Sequence, residues 1–286
     1  MSSSVNSSLP FIGQQIIVYG GIIILVFGIM GNCLTLIVML SLETFRQSSC
    51  AFYLTIMSFT NIGQLIFGLL SRVLISGFNI DWTARSLAYC KFRWTFFQLC
   101  ASMSYACLCL ATSDQYFATC TNARWQQLSN IKIAYRFIVV ALIVSILYLI
   151  PFPIYLNHLP TVSGAITCNM NTAFMSAYKN YFVTLFIIGV IPDFISVLFG
   201  ILAYRNVQQI AYRTIPLVRR ELDKQLTTIV LVQVFVNLIT NIPFVITIAV
   251  QYAIADLTNL VLSNILQFTN NVTLILFYTF FAVSRI

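Results

Sequence analysis

The stretch that decides the reading is Cys90–Tyr116, CKFRWTFFQLCASMSYACLCLATSDQY. It opens on a cysteine with basic neighbours, Lys91 and Arg93, and closes on Asp114-Gln115-Tyr116. No charged residue stands between Arg93 and Asp114. At about 1.5 Å per residue a helix of this length crosses a bilayer core of roughly 30 Å with about a turn to spare. The stretch therefore predicts one long membrane helix.

The rest of the chain has the same character. Of 286 residues 59% are hydrophobic and 8% are charged, and the mean hydropathy is +0.91. Soluble domains carry about 25% charged residues, so a single soluble core is excluded. Seven apolar runs follow in order, predicting spans over 15–40, 51–75, 90–117, 133–156, 177–204, 222–251 and 258–283. The expected fold is all-α, a seven-transmembrane helix bundle over 15–283. Residues 1–14 read as an uncharged, Ser-rich polar tail, and 284–286 as a truncated cytoplasmic end. The tail lacks the basic start of a signal peptide, so the first span is expected to act as the targeting signal.

Seven spans put the termini on opposite sides. Ten of the fifteen Lys and Arg fall on one set of ends: Arg46, Arg124, Lys132, Arg136, Arg205, Arg213, Arg219, Arg220, Lys224 and Arg285. Arg72, Arg85, Lys91, Arg93 and Lys179 fall on the other. The richer set marks the cytoplasm, which places the N-terminus outside and makes Asn6, in Asn6-Ser7-Ser8, a candidate glycan acceptor. The net charge of +8 is explained by this distribution, and no nucleic-acid motif accompanies it. Only two of the eight cysteines, Cys90 and Cys168, then lie on the oxidising side, which predicts a disulfide between them.

Seven spans, an outer N-terminus and a cystine at the head of the third span resemble the rhodopsin-like G-protein-coupled receptors. Gly31-Asn32 resembles that family's first-span pair. Asp81-Trp82, eight residues before Cys90, resembles its first outer-loop tryptophan. Asp114-Gln115-Tyr116 stands where the family has Asp-Arg-Tyr. Pro192 and Pro243 match its bends in spans five and six, and Tyr278 its tyrosine near the inner end of span seven. The departures are equally specific. The family's arginine is Gln115, so its ion pair with an acid at the foot of span six, here Asp223, becomes at best a hydrogen bond. The span-two aspartate is Asn61, with Ser104 and Asn270 or Asn271 as candidate partners. The toggle tryptophan is absent from Thr240-Asn241-Ile242-Pro243, Leu274 and Ile275 precede Tyr278 in place of Asn-Pro, and Gly200 replaces the span-five tyrosine.

Asp193 is the one acid deep within a span. At mid-bilayer it costs about 2.5–3.5 kcal/mol on insertion scales, so it requires a polar partner. Gln233, Asn237 and Asn241 recur every four residues on one face of span six. The expectation is a hydrogen bond from Asp193 to Asn237, inside an intramembrane polar network that also includes Asn32 and Asn61. The resemblance implies a ligand pocket in the outer half, with Phe97, Gln98, Ala101, Asn264, Gln267 and the Cys168 loop as candidates. Phe97 stands where amine receptors carry an aspartate, which argues against an amine and leaves a peptide or a small chemosensory molecule. The implied partners are that extracellular ligand, membrane lipid and a heterotrimeric G protein at the inner basic loop. The implied site is the plasma membrane.

The alternatives are a receptor-shaped protein that no longer couples, acting as a decoy or dimer partner, and, more distantly, a transporter. The halves show no repeat and seven spans divide unevenly, against the transporter. An enzyme is not expected. The single histidine, His158, lies in a loop, and no His-Glu-x-x-His pair or Gly-x-Ser-x-Gly elbow occurs. No cofactor or metal motif is present.

Overall fold

The computed structural model of the protein describes residues 2–120, 122–160, 166–210, 217–254 and 260–283, with side chains outside the description at 2–8, 44, 123, 209–210, 217–223 and 260. Among the described residues, seven helices are long and apolar enough to cross a membrane: α1 (Leu9–Ser41), α2 (Ser49–Phe78), α3 (Leu87–Thr119), α4 (Ile131–Tyr155), α5 (Ala173–Gln208), α6 (Lys224–Ala253) and α7 (Val261–Ala282). The stretch that opened the reading, α3, is the axis of the bundle. It packs on α2, α4, α5 and α6. Of its apolar window 61% is buried, against 22% for α1 and for α4.

The bundle is apolar outside and polar within. Phe27, Ile37, Val144, Leu147, Phe235 and Ile246 are exposed on the outer faces, while Asn32, Asn61, Gln64, Ser104, Asn237 and Asn241 are wholly or almost wholly buried. Lipid makes no demand for polar surface, so helices in a bilayer turn their hydrogen-bonding side chains toward each other. Small residues let them approach. A methyl at Gly28 would sit 2.8 Å from the Ala282 side chain, so α1 and α7 touch there at backbone range.

Local signals set the helix starts. Asp81 Oδ1 accepts from the Thr83 and Ala84 N–H groups, closing the one-turn helix Trp82–Arg85. Ser86 Oγ accepts from Tyr89 N–H at the head of α3, Asn130 Oδ1 from Lys132 N–H at α4, and Thr172 Oγ1 from Met175 N–H at α5. Each satisfies an N–H that an α-helix leaves without a partner in its first turn.

Three features depart from expectation. Helix runs back to Ser2 through the stretch read as a polar tail, continuous through Pro10. The uncharged serines carry nothing that stops a helix already nucleated by the apolar run behind them. The loop after α4 contains an antiparallel hairpin, β1 (Leu156–Pro160) with β2 (Ile166–Met170), in which His158 faces Cys168. Backbone pairing satisfies this segment where helix cannot, next to Pro160. Finally, α2 takes wider π-type turns over Leu65–Leu70, and α5 does so over Tyr178–Val190.

Candidate functional site

At the hairpin end, Cys90 and Cys168 form a disulfide with Cα atoms 5.9 Å apart. It ties β2 to the head of α3, and a hydrogen bond of 2.7 Å between His158 Nε2 and the Thr83 carbonyl ties β1 to the segment before it. Leu156 and Met170 pack with Cys90, Phe152 and Val183 in a small core of their own. The hairpin is thus anchored beside α3. None of its described residues lines the cavity below.

That cavity has a volume of about 310 Å³ and opens between α2, α3, α5, α6 and α7. Phe97, Gln98 and Ala101 line it, and Gln98 is buried with its Nε2 unpartnered among the described residues. Its floor is apolar, made by Ile188, Phe244 and Phe277. A second cavity of about 340 Å³ adjoins it through Arg72, Gln251 and Asn270, and Gln267 and Asn271 line that one. Asn264 lines neither. Asn270 and Asn271 therefore lie at the hairpin end and are not beside Asn61.

In the middle of the bundle a chain of hydrogen bonds joins four helices. Ser104 Oγ donates to Asn61 Oδ1 at 2.5 Å, Asn61 Nδ2 to Asn32 Oδ1 at 3.3 Å, and Asn32 Nδ2 to the Phe281 carbonyl of α7 at 2.8 Å. Beside it, Asn237 Nδ2 donates to Asp193 Oδ1 at 2.6 Å, and Asn241 Nδ2 lies 3.3 Å from both Asp193 oxygens. Asn241 Nδ2 also reaches the Ile188 carbonyl at 3.2 Å. Gln233 does not join Asp193; its Nε2 donates to the Val283 carbonyl at 2.7 Å and binds α6 to the end of α7.

The Asn32–Phe281 bond fixes the level of α7 and corrects the expected place of Tyr278. Tyr278 is one turn nearer the hairpin end than Phe281. Its hydroxyl would meet a Cβ on Gly68 at 2.7 Å, and it lines the cavity together with Leu274. Gly68 is seven residues beyond Asn61, about 10 Å along the helix. Tyr278 is therefore a cavity residue and does not belong to the opposite end. The apolar run of α7 carries no proline or charge to set its register, so a tyrosine at a plausible distance from the end was a misleading marker.

At the opposite end, Ser49 Oγ donates to Asp114 at 2.8 and 2.7 Å and lies 3.1 Å from Ser129 Oγ. This joins the foot of α2 to α3 and to the loop before α4. Gln115 Oε1 accepts from Thr227 Oγ1 of α6 at 2.9 Å, and both residues are buried. Tyr116 packs against Phe199 of α5 with ring centres 5.6 Å apart. The Asp223 and Asn6 side chains lie outside the described residues.

Sequence reasoning missed two groups. The first is aromatic. Phe244, directly after Pro243, meets Phe277 at 4.4 Å between centroids, and Tyr105 stacks on Phe280 at 5.0 Å. Phe277 also lies 6.5 Å from Tyr105, so rings run from the cavity floor to the middle of the bundle, where the toggle tryptophan is lacking. Single aromatics in apolar runs carry no spacing signal. The second group is the cavity's cations. Arg72, Arg93 and Lys179 all line it, although the sequence marked them only as charges at span ends.

The architecture and the family comparison agree. No curated protein matches the chain, but the sequence model of the family described as 7 transmembrane receptor (rhodopsin family) matches residues 31–283. That match runs from Gly31-Asn32, whose asparagine joins α1 to α2 and α7, through the last described turn of α7. The chain is a multi-pass plasma-membrane protein and belongs to the rhodopsin family of seven-transmembrane receptors.

Proposed function

We propose that this receptor takes a ligand from outside the cell into the cavity at the hairpin end and signals to a heterotrimeric G protein at the Asp114 end. The observation that carries the reading is Asn241. One side-chain amide reaches the Ile188 carbonyl, at the cavity floor, and the Asp193 carboxylate of α5. A ligand pressing on Ile188 and Phe244 acts directly on the bonds that hold α5 to α6. Pro192 and Pro243 weaken the backbone ladders of those two helices at the same level, so they are the parts that give. The ligand shifts the population toward the arrangement it binds better. The cavity is of the size that takes small molecules, which favours the chemosensory class over a large peptide.

The inner latch sets the resting level. Gln115 and Thr227 form a neutral hydrogen bond, roughly half as strong as a charge-assisted one. The active arrangement is then less disfavoured, and basal activity is raised. A second reading, a receptor that binds but does not couple, is favoured by the same residue, because Gln115 lacks the guanidinium that the family extends into its partner. The test is signalling by Asp193→Asn at matched surface expression. The proposal expects basal activity and ligand response to change; both unchanged would remove the network from the mechanism.

A further inference from the structure

The cavity's wall has an uneven chemistry. Arg72 from α2, Arg93 from α3 and Lys179 from α5 all line it, and among the described residues no Asp or Glu does. Arg93 is buried. Its Nε donates to the Phe67 carbonyl at 3.0 Å and Nη2 lies 3.5 Å from the Gly68 carbonyl, both within the widened turns of α2. Those carbonyls orient the guanidinium but carry no charge to neutralise it. Its carbon lies 5.9 Å from the Phe97 ring centre and 6.0 Å from that of Trp94. Lys179 Nζ approaches the same Trp94 ring, 4.9 Å from its centroid, and reaches Asn169 Oδ1 at 3.4 Å. Arg72 Nε is buried without a partner among the described residues. Arg72 and Arg93 repel each other, and the one acid that acts on Arg93, Asp81, lies outside the cavity wall with its Oδ1 already accepting from the Thr83 and Ala84 N–H groups. Burial costs Arg93 and Lys179 hydration. Ionisable groups retained at such depth mark ligand or ion sites.

Below the cations the wall changes. Ile188, Phe244, Ile248, Leu274 and Phe277 form an apolar floor, and Gln98 Nε2 is an unused donor between the two zones. We propose that the cavity binds a soluble organic anion: an oxyanion head held by Arg72, Arg93 and Lys179, and an apolar body resting on the floor. A guanidinium fork matches carboxylate and phosphate oxygens in pairs. The same charges reject an ammonium. The proposal names the ligand class of the site assigned above and rests on that assignment only for the role of the cavity, because binding itself requires no G protein.

The test is thermal unfolding of the full chain in detergent with matched probes: octanoate, 4-phenylbutyrate and indole-3-propionate, their primary amides, their amine analogues, and octyl phosphate. At least one oxyanion is expected to raise the unfolding midpoint, with its amide needing about tenfold more or greater concentration, a difference of 1.4 kcal/mol, and its amine having no effect. Arg72→Gln and Lys179→Gln are expected to bring the anion down to the level of its amide. They should hold or raise the midpoint of the free protein, because Arg72→Gln relieves its repulsion with Arg93 and Lys179→Gln removes a cation that burial has cost its hydration. Amides or amines acting as well as acids, or no probe acting at all, overturns the proposal. So does full anion stabilisation in the Arg72→Gln/Lys179→Gln double variant. Stabilisation by phosphatidylserine micelles and by none of the soluble anions overturns the soluble-ligand assignment. Anion binding without signalling would retain this inference and remove coupling; signalling by neutral compounds alone would do the reverse.

Discussion

At the hairpin end Arg72, Arg93 and Lys179 share a cavity with no carboxylate on its described wall; at the Asp114 end the polar groups have found each other. There, Asp114 accepts from Ser49, and Gln115 accepts from Thr227. One end gathers three cations and donors without partners on its described wall, and the other is closed by short hydrogen bonds between helices, one to the Asp114 carboxylate and one between the neutral Gln115 and Thr227. The difference shows which end is arranged to receive something and which to release something. A buried charge without a partner is costly unless a ligand supplies one. A neutral interhelical hydrogen bond in a membrane is worth only about 0.6 kcal/mol on average, so the Gln115–Thr227 contact is the one that gives. Between the two ends, Asp193, Asn237 and Asn241 tie α5 to α6 below the cavity floor.

The largest expected effect breaks the receiving end. Cys168→Ser frees the hairpin from α3, opening a closed stretch of 78 residues. Constraint of the unfolded chain by such a bridge is worth about 4 kcal/mol, so the unfolding midpoint should fall sharply. Signalling contacts at the far end should be untouched in whatever fraction folds. Thermal unfolding with and without reductant checks this, since reductant should bring wild type to the variant's value.

A smaller loss is expected in the middle. Asn241→Leu removes the amide from the Ile188 carbonyl and from Asp193, leaving a buried acceptor at a cost of about 1–3 kcal/mol. The ligand dose–response should weaken more than the basal level, since cavity and latch are then uncoupled. Equal changes in both would show that Asn241 holds the fold and transmits nothing.

Thr227→Val sharpens the comparison at the inner end. It deletes the hydroxyl that Gln115 accepts from, at similar side-chain size, for about 0.5–1.5 kcal/mol. Basal G-protein activation should rise by roughly two- to tenfold, with apparent ligand affinity rising alongside it, because the ligand binds the active arrangement better. Ser49→Ala is expected to do least, shifting the midpoint by about 1 kcal/mol or less. Its loss removes the α2–α3 hydrogen bond without touching α6.

How much of this could be read from the residues follows from the period of a helix. A spacing of four puts Gln233, Asn237 and Asn241 on one stripe, and the structure turns the last two toward Asp193. The spans were legible because twenty uncharged residues leave little choice of structure, and Cys90 and Cys168 because only two cysteines fell on one side. Tyr278 was misplaced because α7 is apolar along both turns in question, and register is decided by Asn32 finding the Phe281 carbonyl on another helix. The cations were seen as charges near span ends, yet Arg72, Arg93 and Lys179 meet only because three separate helices bring them together, and nothing in local sequence encodes that. The hairpin register between His158 and Cys168 and the wide turns over Leu65–Leu70 likewise depend on partners distant in the chain.

The most direct test of the account is ligand-free activation across a panel of G-protein α subunits, comparing wild type with Gln115→Arg at matched surface expression. The account predicts activation by wild type above mock-transfected cells, because a neutral Gln115–Thr227 contact leaves the latch weak and the receptor coupled. A silent wild type beside an active Gln115→Arg would contradict it, showing an intact bundle whose coupling has been lost.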